Sequence, residues 1–459
     1  MGDRLIFQLG TNNWQRGGEF APGSGILHEA HHHAYNAIPG VRCYSMYPSR
    51  RQRFKDEDVH VFALEHDIPI CESISPTSNY RWHSMGEDEV AAYRARLTNE
   101  VADWIDEIEA GTDDRFELAI AHHGFMNTVV MRDVIARRAA AGRGTMPLLC
   151  FVHGTELKMY ANEKRGDRPD EFPLRFLPYM QNERIFAFDD AAHGVDVVAS
   201  ISGEQIDALG NIFPEFPRER VILSHNGYNQ QVFRRLTEPT DVYTFREKVL
   251  AGFMTQPPEG SSKAPEPVAP PEGFDAVVAF CGKFADWKRL DALLRAAAIY
   301  EQQERKILTL VIGSGPHEAQ VQMHDLAAEL GLQRTYFLGP RPQDELTTLF
   351  NCADVGCFPS YREPFGLVFI ECMACGTPVI GADSGGPRDF VTPEVGVLVP
   401  ETDDRQALAE SLAAAVNRAI DEDWKNTKGP VAEAYVKANF SVVGQVAKLL
   451  EEVDRLTGS

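Results

Sequence analysis

Short apolar runs recur along this chain with helix-patterned segments between them, and they come in two series. Leu5–Leu9, Leu118–Ala121, Leu148–Val152 and Val197–Ile201 form the first; Ala276–Cys281, Ile307–Ile312, Tyr336–Leu338, Val355–Phe358, Pro378–Ala382 and Val397–Val399 form the second. Strands that alternate with helices join in parallel sheets, and a strand covered on both faces reads as an unbroken apolar run. The intervening segments carry a matching face: Leu290, Leu293, Leu294 and Ala297, and later Leu408, Leu412, Val416 and Ala419, fall at helical spacing. Between the series lies Thr255–Phe274, rich in proline and without periodicity, which suits neither helix nor ladder and reads as a linker or an exposed insertion. The expected architecture is α/β, with two doubly wound parallel sheets in series. The boundaries expected are 1–254 for the first domain, 255–274 for the proline-rich segment, 275–430 for the second domain, and 431–459 for a C-terminal helix crossing back to the first. That last helix has Ser441 as its N-cap and Val442, Val446, Leu449, Leu450 and Val453 on one side.

Length agrees with two domains, because 459 residues exceed the ~250–300 at which single cores stop growing. The formal charge of −22, from 67 acidic against 45 basic side chains, repels polyanions and anionic bilayers, which argues against nucleic acid as a partner. No run approaches the ~18–20 apolar residues of a membrane span, and the N-terminus lacks a basic stretch followed by a long apolar one, so no stable membrane insertion and a cytoplasmic location are expected. Cys150, Cys281 and Cys357 sit inside apolar strand-like runs, which suits reduced, buried thiols. The composition also allows a homodimer.

Ligands of open α/β sheets bind outside the carboxyl ends of the strands, and the most informative residues fall there. Phe358–Val391 (FPSYREPFGLVFIECMACGTPVIGADSGGPRDFV) leaves a strand, passes a turn and enters a helix at about Gly366. An anion near Gly366–Leu367 faces the free amides and positive end of that helix. Glu363 and Glu371 flank the turn. A carboxylate accepts two hydrogen bonds from a diol, so one acid suits a ribose and the other a transferred sugar; each alone also reads as a solvated acid at a helix start. Upstream, Gly282-Lys283 follows a strand and Lys288 comes five residues later, placing two ammonium groups on one loop where they could neutralise a diphosphate, or simply lie in solvent.

This string resembles the donor-site motif of the retaining glycosyltransferases of family 4, a GT-B group that includes sucrose synthases and many bacterial glycosyltransferases. Glu363, Pro364, Phe365, Gly366, Glu371, Gly376, Pro378, Val379, Gly385 and Gly386 stand in register with it. Ile312-Gly313-Ser314-Gly315-Pro316 is similar to the family's glycine-rich strand end, and Phe337–Arg341 to its base-contacting loop. Lys283 departs from the pattern, which usually has arginine there. The match is good over about Ala276–Val399 and looser from Leu5 to Val232. In the looser part Gly23-Ser24-Gly25 resembles the phosphate and acceptor loop, and Val152-His153-Gly154-Thr155 the His-Gly element whose histidine contacts the donor sugar. Asn226-Gly227-Tyr228-Asn229 resembles the turn before the domain crossover, with Asn229 where the family commonly has Asp.

The resemblance implies a GT-B fold, two Rossmann-like domains facing across a cleft, and retaining transfer of a hexosyl unit from a nucleotide diphosphate sugar to a small soluble acceptor. UDP-sugar is preferred, with GDP-sugar as the other donor. It implies catalytic roles for Lys283, Lys288, Glu363 and His153, and donor binding by Glu371, Phe365, Gly366, Leu367, Gly282, Gly313 and Arg341. It assigns Gly23, Ser24 and Gly25 to the phosphate and acceptor loop, and requires neither metal nor cofactor. Rival readings are a sugar phosphorylase or nucleotide-sugar epimerase on the same plan, and a non-catalytic nucleotide-sugar binder. Two metal patterns compete as well. His28-Glu29-Ala30-His31-His32 satisfies H-E-x-x-H but lacks a third ligand at a recognised spacing. Cys352, Cys357, Cys372 and Cys375 include a C-x-x-C pair, yet they lie in strand and helix positions that suit packing. The loops expected to choose the acceptor are Asn79–His83 and Tyr160–Phe176.

Overall fold

The computed structural model describes every residue except Met1, 15–22, Phe54, 65–84, 158–159, 161–175, 190–191, 237–241, Tyr243 and Ser459. The acceptor-choosing loops expected above therefore lie almost wholly outside the described residues. The chain divides into two compact units, Met1–Asn226 with Val442–Ser459, and Gly227–Ser441.

In the first unit seven strands form one sheet: β1 (Arg4–Leu9), β2 (Val41–Ser49), β3 (Val59–Ala63), β4 (Phe116–His122), β5 (Leu148–Val152), β8 (Val197–Ser200) and β9 (Val221–Leu223). Two further strands, β6 (Phe188–Asp189) and β7 (Ala192–His193), pair only with each other. The order across the sheet is β3-β2-β1-β4-β5-β8-β9, and every neighbouring pair is parallel. Leu118 to Ala121 and Cys150 to Val152 are fully buried, as central parallel strands require. Helices α1 (Gly23–Asn36), α2 (Glu87–Ala110), α3 (Met126–Ala140) and α4 (Gly203–Ile212) supply the crossovers. Phe7 packs edge-on to Trp104 and Phe116, with ring centroids 5.7 and 5.8 Å away, which fixes α2 on the sheet.

The second unit carries β10 (Ala276–Cys281), β11 (Ile307–Ile312), β12 (Thr335–Gly339), β13 (Val355–Phe358), β14 (Val379–Ala382) and β15 (Gly396–Val399) in the order β12-β11-β10-β13-β14-β15, again all parallel. Its principal helices are α5 (Leu290–Glu301), α6 (His317–Glu329), α7 (Gln343–Cys352), α8 (Leu367–Ala374), α9 (Arg405–Asp421) and α10 (Gly429–Asn439). Asp404 caps α9 by accepting from the Gln406 and Ala407 amides at 2.9 and 3.1 Å. The proline-rich segment does not join the two units, since both its ends lie in the second. It doubles back on itself, with the Thr255 amide bonded to Glu266 O and the Val268 amide to Phe253 O, and the Gln256 amide ties it to Phe337 O of β12.

After Ser441 the chain returns to the first unit as α11 (Val442–Thr457), which buries Val446, Leu449, Leu450 and Val453 and packs on α1. Asp454 on α11 receives both Nη groups of Arg4, at 2.8 and 2.5 Å. Beneath the first sheet the Arg138 guanidinium makes two bonds to Glu109, at 3.0 and 2.8 Å, and Glu109 also accepts the Phe116 amide at 3.0 Å. Both side chains are nearly sealed, 5% and 6% exposed, so removing one strands the other charge in low dielectric. Glu109→Ala should therefore cost about 3–5 kcal/mol in urea unfolding; a loss under about 1 kcal/mol, as for an exposed pair, would show that Arg138 finds water or another partner.

Candidate functional site

In the second unit a parallel sheet brings the carboxyl ends of its strands to one edge, and three loops meet there. β10 ends at Cys281; the chain continues through Gly282 and Lys283 into a 3-10 turn, Asp286–Lys288, before α5. The loop between β13 and α8 carries Tyr361, Arg362 and Glu363, and the Tyr361 amide donates to Trp287 O at 2.7 Å, joining the two loops. Lys288 Nζ then donates to Glu363 Oε2 at 2.5 Å, with the side chains 13% and 10% exposed, and lies 4.3 Å from the Trp287 ring centroid. Lys283 is exposed on the same loop.

The third loop, after β14, holds Glu363 from the other side. Gly386 donates its amide to Glu363 O at 2.7 Å. Gly385 has φ +77, and a Cβ there would stand 2.3 Å from Glu363 O, so only glycine permits this approach. Gly313, at the end of β11, is constrained in the same way: φ is +127 and a Cβ would stand 2.0 Å from Gly282 O. The Gly282 amide bonds Ile312 O and the Gly313 amide bonds Gly339 O, so β10, β11 and β12 remain tied past their ends.

Gly366 precedes α8, so the amides of Leu367 and Val368 open the helix without acceptors inside it, and its positive end faces this edge. Glu371 lies a turn further on; burial pushes its carboxyl up to about 7, and both it and Lys288 act electrostatically on the Cys281 thiol. Lys283, Lys288, Glu363, Glu371, Gly282, Gly313, Gly366 and Leu367 thus fall on one edge. Two other expected residues are held by contacts within the second unit. Phe365 is buried with its ring 5.2 Å from Phe390 and 6.2 Å from Phe440, so it anchors the loop from below. Arg341 bonds Leu338 O, Met254 O and Glu345, which fastens the residue before the proline-rich segment to the end of β12.

The first unit presents its own carboxyl edge. Thr11 and Asn12 follow β1, His122 and His123 end β4, and His153 and Gly154 follow β5. Asn12 Nδ2 donates to Ser24 Oγ at 2.5 Å, which places Ser24 at the start of α1, while a Cβ on Gly23 would meet nothing within 4 Å. Gly25 is buried in the same helix. His153 Nε2 lies 2.9 Å from His122 Nδ1, and the rings stack at 5.1 Å. Sequence reasoning found His153 but passed over His122 and His123, although a pair of histidines directly after an apolar strand run was a readable signal.

The two metal patterns resolve into other bonds. His28 Nδ1 accepts from Trp14 Nε1 at 2.7 Å and His32 Nδ1 pairs with Ser45 Oγ at 2.8 Å. Burial pushes Cys352 and Cys375 up to about 12, Cys357 and Cys372 upward as well, which disfavours thiolates. Among the described residues no group of three or more His, Cys, Asp or Glu is arranged to hold a metal ion. No helix among them is long and apolar enough to cross a membrane.

Residues 266–428 match the family model described as glycosyl transferases group 1. A D-inositol 3-phosphate glycosyltransferase of Salinispora tropica is 40% identical over 151 residues, 31% of this chain and 31% of the relative. One from Thermobispora bispora is 41% identical over 184 residues, 35% of this chain and 43% of the relative. The match thus spans under half the length of these curated relatives. Among solved structures, sucrose-phosphate synthase from Thermosynechococcus elongatus superposes with a TM-score of 0.66 at 19% identity, covering 98% of this chain and 99% of that one. Anabaena HepE in complex with UDP gives 0.62 at 19% identity, covering 98% and 100%. At such identities the likeness concerns the fold, which is the two-domain GT-B plan.

Glu371 yields a test independent of any ligand. A carboxyl whose folded pKa lies above its usual 4.5 favours the native state while protonated, so its contribution is complete below about 4.5 and is lost as pH rises through about 7. Between those values the urea midpoint of the native chain should fall relative to that of Glu371→Gln; a difference that stays flat with pH would mean the carboxyl is not desolvated.

Proposed function

We propose that this chain, whose residues 266–428 match the family model described as glycosyl transferases group 1, is a retaining glycosyltransferase that moves a hexosyl unit from a nucleotide diphosphate sugar to a hydroxyl of a small soluble acceptor. UDP-sugar is the favoured donor. The observation that carries the reading is the Lys288–Glu363 contact at the end of β10, beside Glu371 and the open amides of α8.

In this reading the donor diphosphate takes the place at the α8 terminus, where Leu367 and Val368 offer amides and Lys283 and Lys288 offer positive charge. Lys288 exchanges its Glu363 partner for a phosphate oxygen. Glu371 accepts hydrogen bonds from the ribose diol, and Glu363, released from Lys288, accepts from the sugar hydroxyls. The bond between C1 and the diphosphate oxygen breaks as the acceptor oxygen approaches C1 from the same face. The acceptor proton passes to that leaving oxygen, and a nucleoside diphosphate departs. The two ammonium groups supply the charge stabilisation, so the proposal assigns no metal or cofactor. The curated relatives are named for an inositol phosphate acceptor, which supports a small polyol-type acceptor here.

Thermal-shift screening with UDP-glucose and GDP-mannose tests donor binding, since a ligand that binds only the native state raises Tm by mass action. One of these should raise Tm, and Glu371→Ala should abolish the shift; an unaltered shift would contradict the ribose assignment. Lys288→Gln, which keeps a donor for Glu363 but removes the charge, should lower kcat about 10²–10³-fold in release of nucleoside diphosphate. Sugar phosphate formed from added inorganic phosphate would point to a phosphorylase, an altered donor sugar without acceptor to an epimerase, and binding without turnover to a non-catalytic role.

A further inference from the structure

Lys288 and Glu363 each adjoin an arginine whose backbone is left-handed. Arg289 has φ 51 and ψ 39, and Arg362 has φ 48. Among the described residues five non-glycine residues have positive φ, and two of them flank this one contact. In that region Cβ crowds the following carbonyl oxygen, so a residue other than glycine stays there only where its surroundings hold it. Whatever holds Arg289 and Arg362 therefore also sets the direction in which their neighbours, Lys288 and Glu363, leave the chain.

Both arginines converge on Tyr361. The guanidinium carbon of Arg289 lies 4.8 Å from the centre of its ring, and that of Arg362 lies 5.8 Å away. The two contacts are unequal: Arg289 is 2% exposed, whereas Arg362 is exposed, and a cation over an aromatic face is worth most where water is excluded. Arg289 is also tied to the loop between β15 and α9, with one Nη on Glu401 Oε1 and the other 3.3 Å from Asp403 Oδ1. The Asp403 side chain is fully exposed, so Glu401, 22% exposed, carries the pairing. Arg405, at the start of α9, returns the tie, reaching Asp286 Oδ1 at 3.3 Å and Asp291 Oδ2 at 3.2 Å, on either side of Lys288 in the chain. Arg362 is held through its backbone, its amide donating to Ser384 Oγ at 2.8 Å.

We propose that Arg289 is a positioning residue: its guanidinium, anchored on the Tyr361 ring and Glu401, holds residue 289 left-handed and so keeps Lys288 directed at Glu363 and at the place a diphosphate would take. A right-handed residue 289 would turn the peptide that joins Lys288 to α5 and carry the ammonium off that line. The anchor is what the site needs, since glycine would supply the left-handed backbone without strain but leave the turn free to move. That Lys288 serves a departing diphosphate rests on the transfer reading; the direction of its side chain does not.

Reductive methylation of the full chain without any ligand, read by mass spectrometry of the peptide that carries Lys288, tests the anchor. A little-exposed ammonium paired with a carboxylate reacts slowly. Lys288 should therefore be methylated severalfold faster in Arg289→Gly and in Tyr361→Leu than in the native chain, and at the native rate in Tyr361→Phe, which keeps the ring face. Tyr361 is 38% exposed, so Tyr361→Leu keeps the test readable should Arg289→Gly fail to fold. In turnover with the nucleotide sugar identified by thermal shift, Arg289→Gly and Tyr361→Leu should lower kcat about 10–100-fold with the donor KM within about threefold, because a misplaced cation is missed most where charge develops. Tyr361→Phe should keep the native kcat. Native-rate methylation in Arg289→Gly would show that the backbone alone directs Lys288; equal behaviour of Tyr361→Phe and Tyr361→Leu would show that the ring face plays no part; and a raised KM with unchanged kcat would make the residue a donor contact. Each of these overturns the proposal. If no nucleotide sugar raises Tm, the transfer reading fails, while the methylation rates, taken without a donor, decide the anchor by themselves.

Discussion

Lys288 and Glu363 are 75 positions apart, yet a parallel sheet delivers both to the same edge, and their 2.5 Å contact closes the loop after β10 onto the loop after β13. An ammonium and a carboxylate this little exposed each need the other, because burying an unpaired charge costs several kcal/mol. The Tyr361 amide on Trp287 O and the Gly386 amide on Glu363 O hold the same two loops through backbone atoms, so the pair does not bear the geometry alone. What the pair adds is a charge ready for use. In the proposed transfer reaction, a diphosphate arriving at the open amides of α8 would offer Lys288 a more strongly negative partner, and the exchange would free Glu363 for sugar hydroxyls without moving the backbone.

The carboxyl edges of the two units carry different chemistry. The second offers cations and helix amides, suited to an anion. The first carries a cluster of buried histidines, with His28, His122 and His153 all driven well down by burial.

Much of this was legible before any coordinates. The central strands declared themselves because burial on both faces leaves an unbroken apolar run; Leu148–Val152, Ala276–Cys281, Ile307–Ile312 and Val355–Phe358 appear with those same limits. β2 escaped, because Ser45 and Pro48 interrupt its apolar pattern; Ser45 is buried all the same, bonded to Gln8 and His32. The residues that the second unit gathers at its carboxyl edge, Lys288, Glu363 and Gly366 among them, were legible as a string in which spacing carries the meaning. What the sequence did not show is the internal contacts of Phe365 and Arg341: the Phe365 ring packs on Phe390 and Phe440, and Arg341 bonds Leu338 O and Met254 O. The hydrogen bonds that join Gln8, His122 and His153 were invisible in sequence, since sheet register and not proximity along the chain brings these residues together.

The most direct measurement is a crystal structure of the full chain with a non-transferable analogue of its nucleotide sugar. The account predicts the β-phosphate against the Leu367 and Val368 amides, with Lys288 Nζ turned from Glu363 to a phosphate oxygen and the ribose diol on Glu371. A diphosphate bound away from the α8 terminus, or Lys288 still paired with Glu363 in the occupied site, would contradict it.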